Sequence, residues 1–118
     1  MWDAGAAYVD DTLPGSTEAA SVLLLDKEGQ IIRRMAFDGL LDQVTLPLRQ
    51  IVREALKLDC HGLILIHNHP SGDVRPSGAD IQVTRRLCQV FRALGIRLLD
   101  HIIVAPHERF SFRDQGML

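Results

Sequence analysis

The chain has 118 residues, of which 47% are hydrophobic and 24% are charged, and this composition predicts one globular domain with a sizeable core. Thirteen Lys and Arg stand against 15 Asp and Glu, and a net charge of −2 disfavours general binding to phosphate backbones. Nucleic acid therefore remains open as a partner, but the net charge does not support it.

Residues 1–18 are rich in Ala, Asp, Gly and Pro without sustained periodicity. We expect a flexible lead or linker remnant there, followed by a single domain over residues 19–118. The lead has no basic stretch followed by an apolar run, which a secretory signal would need. No apolar run approaches the roughly 20 residues of a membrane span, so no membrane partner is expected. A cytoplasmic protein with reduced thiols at Cys60 and Cys88 is the default expectation.

The first predicted elements form an antiparallel hairpin. Its strands cover 21–25 and 30–37, and the turn 26–29 has Asp at its first position and Gly at its fourth. A helix follows, capped by Thr45 and with Pro47 in its first turn. Its apolar side has helical spacing and consists of Leu48, Ile51, Val52, Ala55 and Leu56. Its polar side consists of Arg49, Gln50, Arg53, Glu54 and Lys57.

The second half begins with a strand that should be buried on both faces. The run 63–66 is continuously apolar and bounded by Gly62 and Pro70, and the strand should end at His69. A tight loop then precedes a second amphipathic helix, closed by Gly95 at the C′ position. The apolar positions of this helix are Ile81, Thr84, Leu87, Cys88, Phe91 and Leu94.

Strands over 96–104 and 109–112 complete the chain. The order strand, strand, helix, strand, helix, strand, strand predicts an α/β (α+β) fold, a single domain with a mixed sheet and two main helices. Exposed strand edges in so small a sheet would also allow a homodimer.

The densest group of chemically active side chains lies between residues 67 and 80. His67 and His69 project from one face of an extended strand, because side chains alternate along it. Each histidine alone is more often a hydrogen-bonded core residue, and Ser77 with Asp80 alone is an N-cap with an acid at N3. Together, two histidines and a carboxylate match the three ligands of a catalytic zinc site, whose bound water has a pKa of about 7. An amide carbonyl is then a plausible target.

The string H-x-H-P followed by P-S-x-x-D resembles the JAMM motif of JAB/MPN metallohydrolases, and HNHPSGD, PSGAD and LDHIIV are similar to its RadC branch. The resemblance runs from about residue 20 to residue 118. It implies a JAB/MPN-like fold with a cytidine-deaminase-like layer arrangement. It also implies that His67, His69 and Asp80 bind zinc and that Ser77 helps to hold the oxyanion of a peptide or isopeptide substrate.

The JAB/MPN family also uses an upstream glutamate as general base and then acid. Related RadC sequences read P-R-E-V near the first helix, where residues 48–51 read L-R-Q-I, so the resemblance implies that Gln50 replaces this glutamate. Glu54, one helical turn later, is the predicted substitute base, with a solvent-facing structural glutamate as the alternative. Glu18 and Glu28 rank below it as candidates.

Two hypotheses about function therefore stay open. The first is a zinc-dependent JAMM-type hydrolase acting on peptide or isopeptide bonds of a peptide or protein substrate. The second is a catalytically silent metal-binding interaction module associated with DNA repair or recombination. The local feature that favours binding to nucleic acid is a basic stretch assigned to the second helix: Arg85, Arg86, Arg92 and Arg97. Asp100 and His101 could orient a metal ligand from outside its coordination sphere, with a structural pair as the alternative.

Overall fold

A computed structural model describes residues 17–39 and 46–118. In these ranges the elements are β1 (Ala19–Leu25), β2 (Ile31–Asp38), α1 (Leu48–Lys57), β3 (Gly62–Asn68), α2 (Gly78–Ala93), β4 (Arg97–Val104) and β5 (Arg109–Ser111). Their order confirms the predicted α/β fold with two main helices. The predicted lead, up to residue 16, and the predicted cap Thr45 lie outside the described residues.

The strands form one mixed sheet in the order β2-β1-β3-β4-β5. Strand β1 is antiparallel to β2 and to β3, β3 and β4 are parallel, and β5 is antiparallel to β4. The parallel pair requires a crossover connection, and α2 supplies it. The chain leaves β3 and enters α2 at the same end of the sheet, where the carboxyl ends of the parallel strands β3 and β4 lie.

The hairpin between β1 and β2 is held by its turn. The Asp26 carboxylate accepts hydrogen bonds from the backbone amides of Glu28 and Gln30 at 3.0 and 2.9 Å. Gly29 has a φ of +82°, a left-handed conformation that glycine adopts without steric cost. The Asp-to-Gly turn predicted from the sequence is thus confirmed.

Both faces of the sheet are buried at its centre. Every residue of β1 and β3 is buried, as the continuous apolar run of β3 predicted. The helix face carries α1 and α2, and its core includes Val22, Leu24, Ile51, Leu63, Leu65, Leu87 and Phe91. The opposite face carries Leu23, Leu25, Ile64, Ile66, Ile102 and Val104.

Helix α1 has a narrower apolar stripe than the sequence predicted. Only Ile51 and Ala55 are fully buried, whereas Leu56 is 55% exposed. At about 100° per residue, Leu56 lies about 120° around the helix axis from the centre of the buried pair, so it faces away from the sheet. The prediction that Leu56 belongs to the core is therefore wrong. Pro47 is the N-cap residue rather than part of the first turn.

Helix α2 and its flanking residues also differ from prediction in detail. Val83 is buried, although it was not among the predicted apolar positions, and Leu94 follows the last helical residue and is 39% exposed. Gly95 has a φ of +75°, as expected of a C′ glycine. Arg97 begins β4, so it does not lie on α2 with the other three arginines. Neither helix of the described ranges is long and apolar enough to span a membrane.

Candidate metal centre

The end of β3 and the first turn of α2 bring three predicted ligands together. His67 lies in β3, His69 follows its last residue, and Asp80 is the third residue of α2. One donor atom from each residue can be chosen so that all three atoms lie within 4.8 Å of one another. Nε2 of His67 and Nε2 of His69 each lie 3.1 Å from an oxygen of the Asp80 carboxylate. The two imidazole rings meet nearly edge to face at 72°.

Strand alternation orients the two histidines. Asn68, between them, points to the other face, where its side chain bonds the amide of Ala19 and the carbonyl oxygen of Thr17, both at 2.7 Å. These bonds fasten the segment before β1 to the end of β3. The backbone amide of His69 donates to the carbonyl oxygen of Val104 at 2.8 Å, and this bond holds His69 beside β4. His67 and His69 consequently share one face, as the sequence predicted.

Ser77 and Asp80 form a capping box at the start of α2. The Ser77 hydroxyl oxygen accepts from the amide of Asp80 at 3.0 Å, and the Asp80 carboxylate accepts from the amide of Ser77 at 2.8 Å. Burial alone would raise the pKa of the Asp80 carboxyl, but hydrogen bonds from His67 and Ser77 outweigh burial and leave its pKa below the usual range. Asp80 therefore caps the helix and presents an ionised carboxylate to both histidines.

A chain of hydrogen bonds places a proton on Nδ1 of His67. Thr84 Oγ1 lies 2.7 Å from the carbonyl oxygen of Asp80 and 2.6 Å from Nδ1 of His101. The carbonyl can only accept, so the single hydroxyl proton goes to it, and Thr84 accepts the Nδ1 proton of His101.

The proton position of His101 in turn fixes the hydrogen bond that His67 makes to it. Burial holds the pKa of His101 well below its usual value, and the charge of His67 adds to the effect, so the ring is neutral. With its proton on Nδ1, Nε2 of His101 accepts from Nδ1 of His67 at 2.9 Å. His67 therefore carries a proton on Nδ1, which leaves Nε2 as the atom that could bind a cation. We call Thr84 and His101 the Thr84–His101 relay.

The loop after β3 likewise keeps a proton on Nδ1 of His69. Its Nδ1 lies 2.7 Å from the carbonyl oxygen of Asp73, which can only accept, so Nδ1 donates. The Asp73 side chain in turn binds Arg75, whose hydrogen bonds lower the pKa of Asp73 to about 2. Nε2 of each histidine thus faces an oxygen of one carboxylate, and a cation could replace the protons that join them there. Two imidazoles and a carboxylate are a donor set that suits a divalent metal ion.

Asp100 and His101 have separate roles. The Asp100 carboxylate accepts from the amides of His101 and Arg113 and from the hydroxyl of Ser111, so it fastens the C-terminal segment to β4. The His101 ring instead stacks on Phe112 at 4.4 Å and contacts His67. Only His101 can orient a metal-binding candidate, because no described contact joins Asp100 to His67, His69 or Asp80. Asp100 therefore matches the structural alternative.

The relay predicts a specific effect of Thr84. Thr84→Val keeps the shape of a buried side chain but removes its hydroxyl, and we expect zinc affinity to fall by about 10- to 100-fold, as for other outer partners of metal-binding histidines. Competition with a chromogenic chelator would measure this change. Thr84→Ser keeps the hydroxyl and should restore affinity to within about threefold. Equal affinity of the valine and serine variants would contradict the relay.

The register of the sheet places a further carboxylate on the face of the site. Ala20 of β1 pairs with His67 of β3, and paired residues of antiparallel strands share a face. Glu18 precedes Ala20 by two residues, just before the first residue of β1, and strand alternation predicts the same face for its side chain. Its backbone oxygen accepts from Gly39 at 3.0 Å, so the chain stays alongside β2 at this point. Glu18 is partly buried, next to the row that holds His67.

The predicted substitute base lies elsewhere among the described contacts. Glu54 accepts a hydrogen bond from Arg33 of β2 at 2.6 Å, and with Gln50 it lines a groove between α1 and β2. No described contact joins Glu54 or Gln50 to the three metal-binding candidates. The assignment of Glu54 as base stays a prediction, to be tested against Glu18.

Comparison with known proteins identifies the family. A family model described as RadC-like JAB domain matches residues 2–117. The chain belongs to this family. The RadC resemblance predicted from the motifs is thereby confirmed, and the match also includes most of the first 18 residues. The family and the three donors agree with a JAMM-like metal site in this RadC-like JAB domain.

Curated relatives support the same assignment. A UPF0758 protein of Acidithiobacillus ferrooxidans is 43% identical over 100 residues, which are 84% of this chain and 45% of the relative. A UPF0758 protein of Chlorobaculum tepidum is 42% identical over 113 residues, 94% of this chain and 51% of the relative. The UPF0758 protein of Pelobacter propionicus is 45% identical over 98 residues, 82% and 43% of the two chains. The RadC-like JAB domain thus spans about half the length of these curated relatives.

Proposed function

We propose that this RadC-like JAB domain is a zinc-dependent hydrolase of the JAMM type that cleaves peptide or isopeptide bonds. The observation that carries the proposal is the convergence of the Nε2 atoms of two histidines on the ionised carboxylate of Asp80. When bound there, zinc would lower the pKa of a water ligand and polarise a carbonyl group. His67, His69 and Asp80 would hold the cation, and the Thr84–His101 relay would orient His67.

Ser77 can assist the reaction without giving up its cap. Its hydroxyl oxygen accepts from the amide of Asp80, which leaves the hydroxyl proton available for donation. Ser77 is exposed, so a substrate can approach it. We assign its hydroxyl to the oxyanion that develops on the carbonyl carbon under attack.

Glu18 is the base that the sheet register favours. A carboxylate on the same face as His67 could take a proton from the attacking water and return it to the leaving amine. If Glu18 performs this role, glutamine at position 50 has no consequence for turnover. Glu54 remains the second candidate, and its ion pair with Arg33 would have to open before it could act.

The alternative hypothesis is a catalytically silent metal-binding module associated with DNA repair or recombination. It depends on Gln50 standing where the base should be, and Gln50 is exposed beside the groove between α1 and β2. A cytoplasmic location and a homodimer stay predictions from the sequence.

Removal of the metal tests the hydrolase directly. We expect the zinc-loaded protein to cleave members of a panel of quenched peptides and lysine-linked ubiquitin-like fusions, with new termini identified by mass spectrometry. Chelation should abolish cleavage, and one equivalent of zinc should restore it. An Asp80→Asn preparation, purified identically, controls for contaminating peptidases. Stoichiometric zinc binding with no cleavage across the panel would favour the silent module.

A further inference from the structure

A groove of about 970 Å³ lies between the edge strand β2 and helix α1. The described residues that line it include five of the chain's 13 Lys and Arg but only one of its 15 Asp and Glu. The cations are Arg33, Arg34, Arg49, Arg53 and Lys57, and the single acid is Glu54. A chain with a net charge of −2 therefore concentrates positive charge on one surface.

Most of this charge is available to a partner. Arg33 pairs with Glu54, whereas the other four cations form no ion pair within the ranges that the structure describes. Three of the four, Arg49, Arg53 and Lys57, follow each other at intervals of four residues along α1. They form a stripe with a spacing of about 6 Å, since a helix rises about 1.5 Å per residue.

The opposite wall of the groove is a strand edge. β2 is the first strand of the sheet, and no other strand among the described residues pairs with its outer side. Its unpaired amides and carbonyls can bond an added strand. Side chains on one side of such a strand repeat about every 6.6 Å, which matches the stripe of cations on α1. Met35 and Phe37 of β2 and Leu48 of α1 add apolar surface to the lining.

We propose that the groove binds an extended acidic segment of a partner protein, which adds a strand to β2 and places alternate carboxylates on the cations of α1. Strand addition favours a polypeptide over nucleic acid because only a polypeptide backbone can pair with β2. Single-stranded nucleic acid also needs aromatic platforms for its bases, and Phe37 is the single aromatic side chain among the described lining residues.

The position of the groove relates it to the metal centre. Phe37 pairs with Ala20, and Ala20 pairs with His67, so the three residues form one row across β2, β1 and β3. A segment added to β2 would be separated from the strand of His67 by β2 and β1. Binding in the groove needs neither zinc nor hydrolysis, and the inference therefore stands apart from the proposed function.

Fluorescence anisotropy with the whole chain measures the binding of a peptide to the groove. The probe is a labelled 12-residue peptide of alternating Glu and Val, and we expect saturable binding that weakens as salt is added. Arg49→Glu with Arg53→Glu should weaken binding at least about tenfold. The matched control, Arg85→Glu with Arg86→Glu, makes the same charge change on an exposed surface of α2 and should alter binding less than about twofold.

Two further probes test the occupant. A form of the Glu and Val peptide that is N-methylated at every residue keeps the charge but has no backbone amide donor, and it should bind at least about tenfold more weakly. A 12-nucleotide single strand should bind more weakly than the Glu and Val peptide. Should the charge reversal impair folding, Arg49→Gln with Arg53→Gln is expected to weaken peptide binding at least about threefold.

Four outcomes would overturn the proposal. They are no binding of the Glu and Val peptide, equal losses in the α1 and α2 variants, undiminished binding of the N-methylated peptide, and tighter binding of the oligonucleotide. The first two would reject the groove as a site for an acidic segment. The third would reject strand addition, and the fourth would assign the groove to nucleic acid.

Discussion

Asp80→Asn should reduce zinc affinity by more than about 100-fold and abolish any zinc-dependent cleavage, a larger loss than is typical for residues outside the coordination sphere. The carboxylate faces both Nε2 atoms, and its negative charge would compensate the charge of a bound cation. Asparagine keeps an oxygen that can accept from the amide of Ser77, so the start of α2 should still form. Chelator competition and metal content after gel filtration would measure the loss.

The matched control is Asp73→Asn in the adjoining loop. Asp73 is exposed and its side chain binds Arg75, while only its backbone carbonyl contacts His69. This variant removes the same charge close to the site and should keep zinc affinity within about threefold. If Asp80→Asn still binds one equivalent of zinc as tightly as the wild type, the three-donor site is refuted.

Glu18→Gln should lower turnover by about 10²- to 10⁴-fold while zinc affinity stays close to that of the wild type. The amide cannot take a proton from the attacking water, yet Glu18 is not one of the three donors. Rates with a cleaved substrate from the panel, measured at saturating zinc, would test this. Glu54→Gln is the comparison variant, and its effect should be less than about threefold because Glu54 is paired with Arg33 at another part of the helix face.

Substitutions at positions 18, 50 and 54 distinguish the hypotheses about the general base. A large loss in Glu54→Gln and none in Glu18→Gln would establish the sequence-based assignment of Glu54. A gain of activity in Gln50→Glu, from a wild type that has none, would establish the silent module. A loss confined to Glu18→Gln would show that the chain retains a base and that Gln50 is not its replacement.

Local features of the sequence were predicted well because they depend on neighbouring residues. The turn before β2 needed only Asp26 and Gly29, and the capping box needed only Ser77 and Asp80. Strand alternation likewise placed His67 and His69 on one face without knowledge of the rest of the fold. The same local rules failed at Leu56, where the helical pattern was correct but the width of the buried stripe depended on how α1 packs.

Contacts between distant residues were beyond local rules. His101 meets His67 across 34 residues of sequence, and the prediction could name it as a candidate but could not separate it from Asp100. Glu18 ranked low because nothing in its surroundings shows which residue of β3 lies opposite β1. A one-residue shift of that register would turn Glu18 to the other face, so its role depends on the packing of the whole sheet.

Periodicity and spacing act over a few residues, and they were enough to predict the order of the elements, the hairpin, the capping box and the set of two histidines and one aspartate. Three features became visible only in the folded chain: the Thr84–His101 relay behind His67, the register that assigns Glu18 to the face of His67, and the basic groove between α1 and the edge of β2. Strand register and helix packing minimise the free energy of the whole core rather than of any one segment, so no short stretch of sequence specifies them.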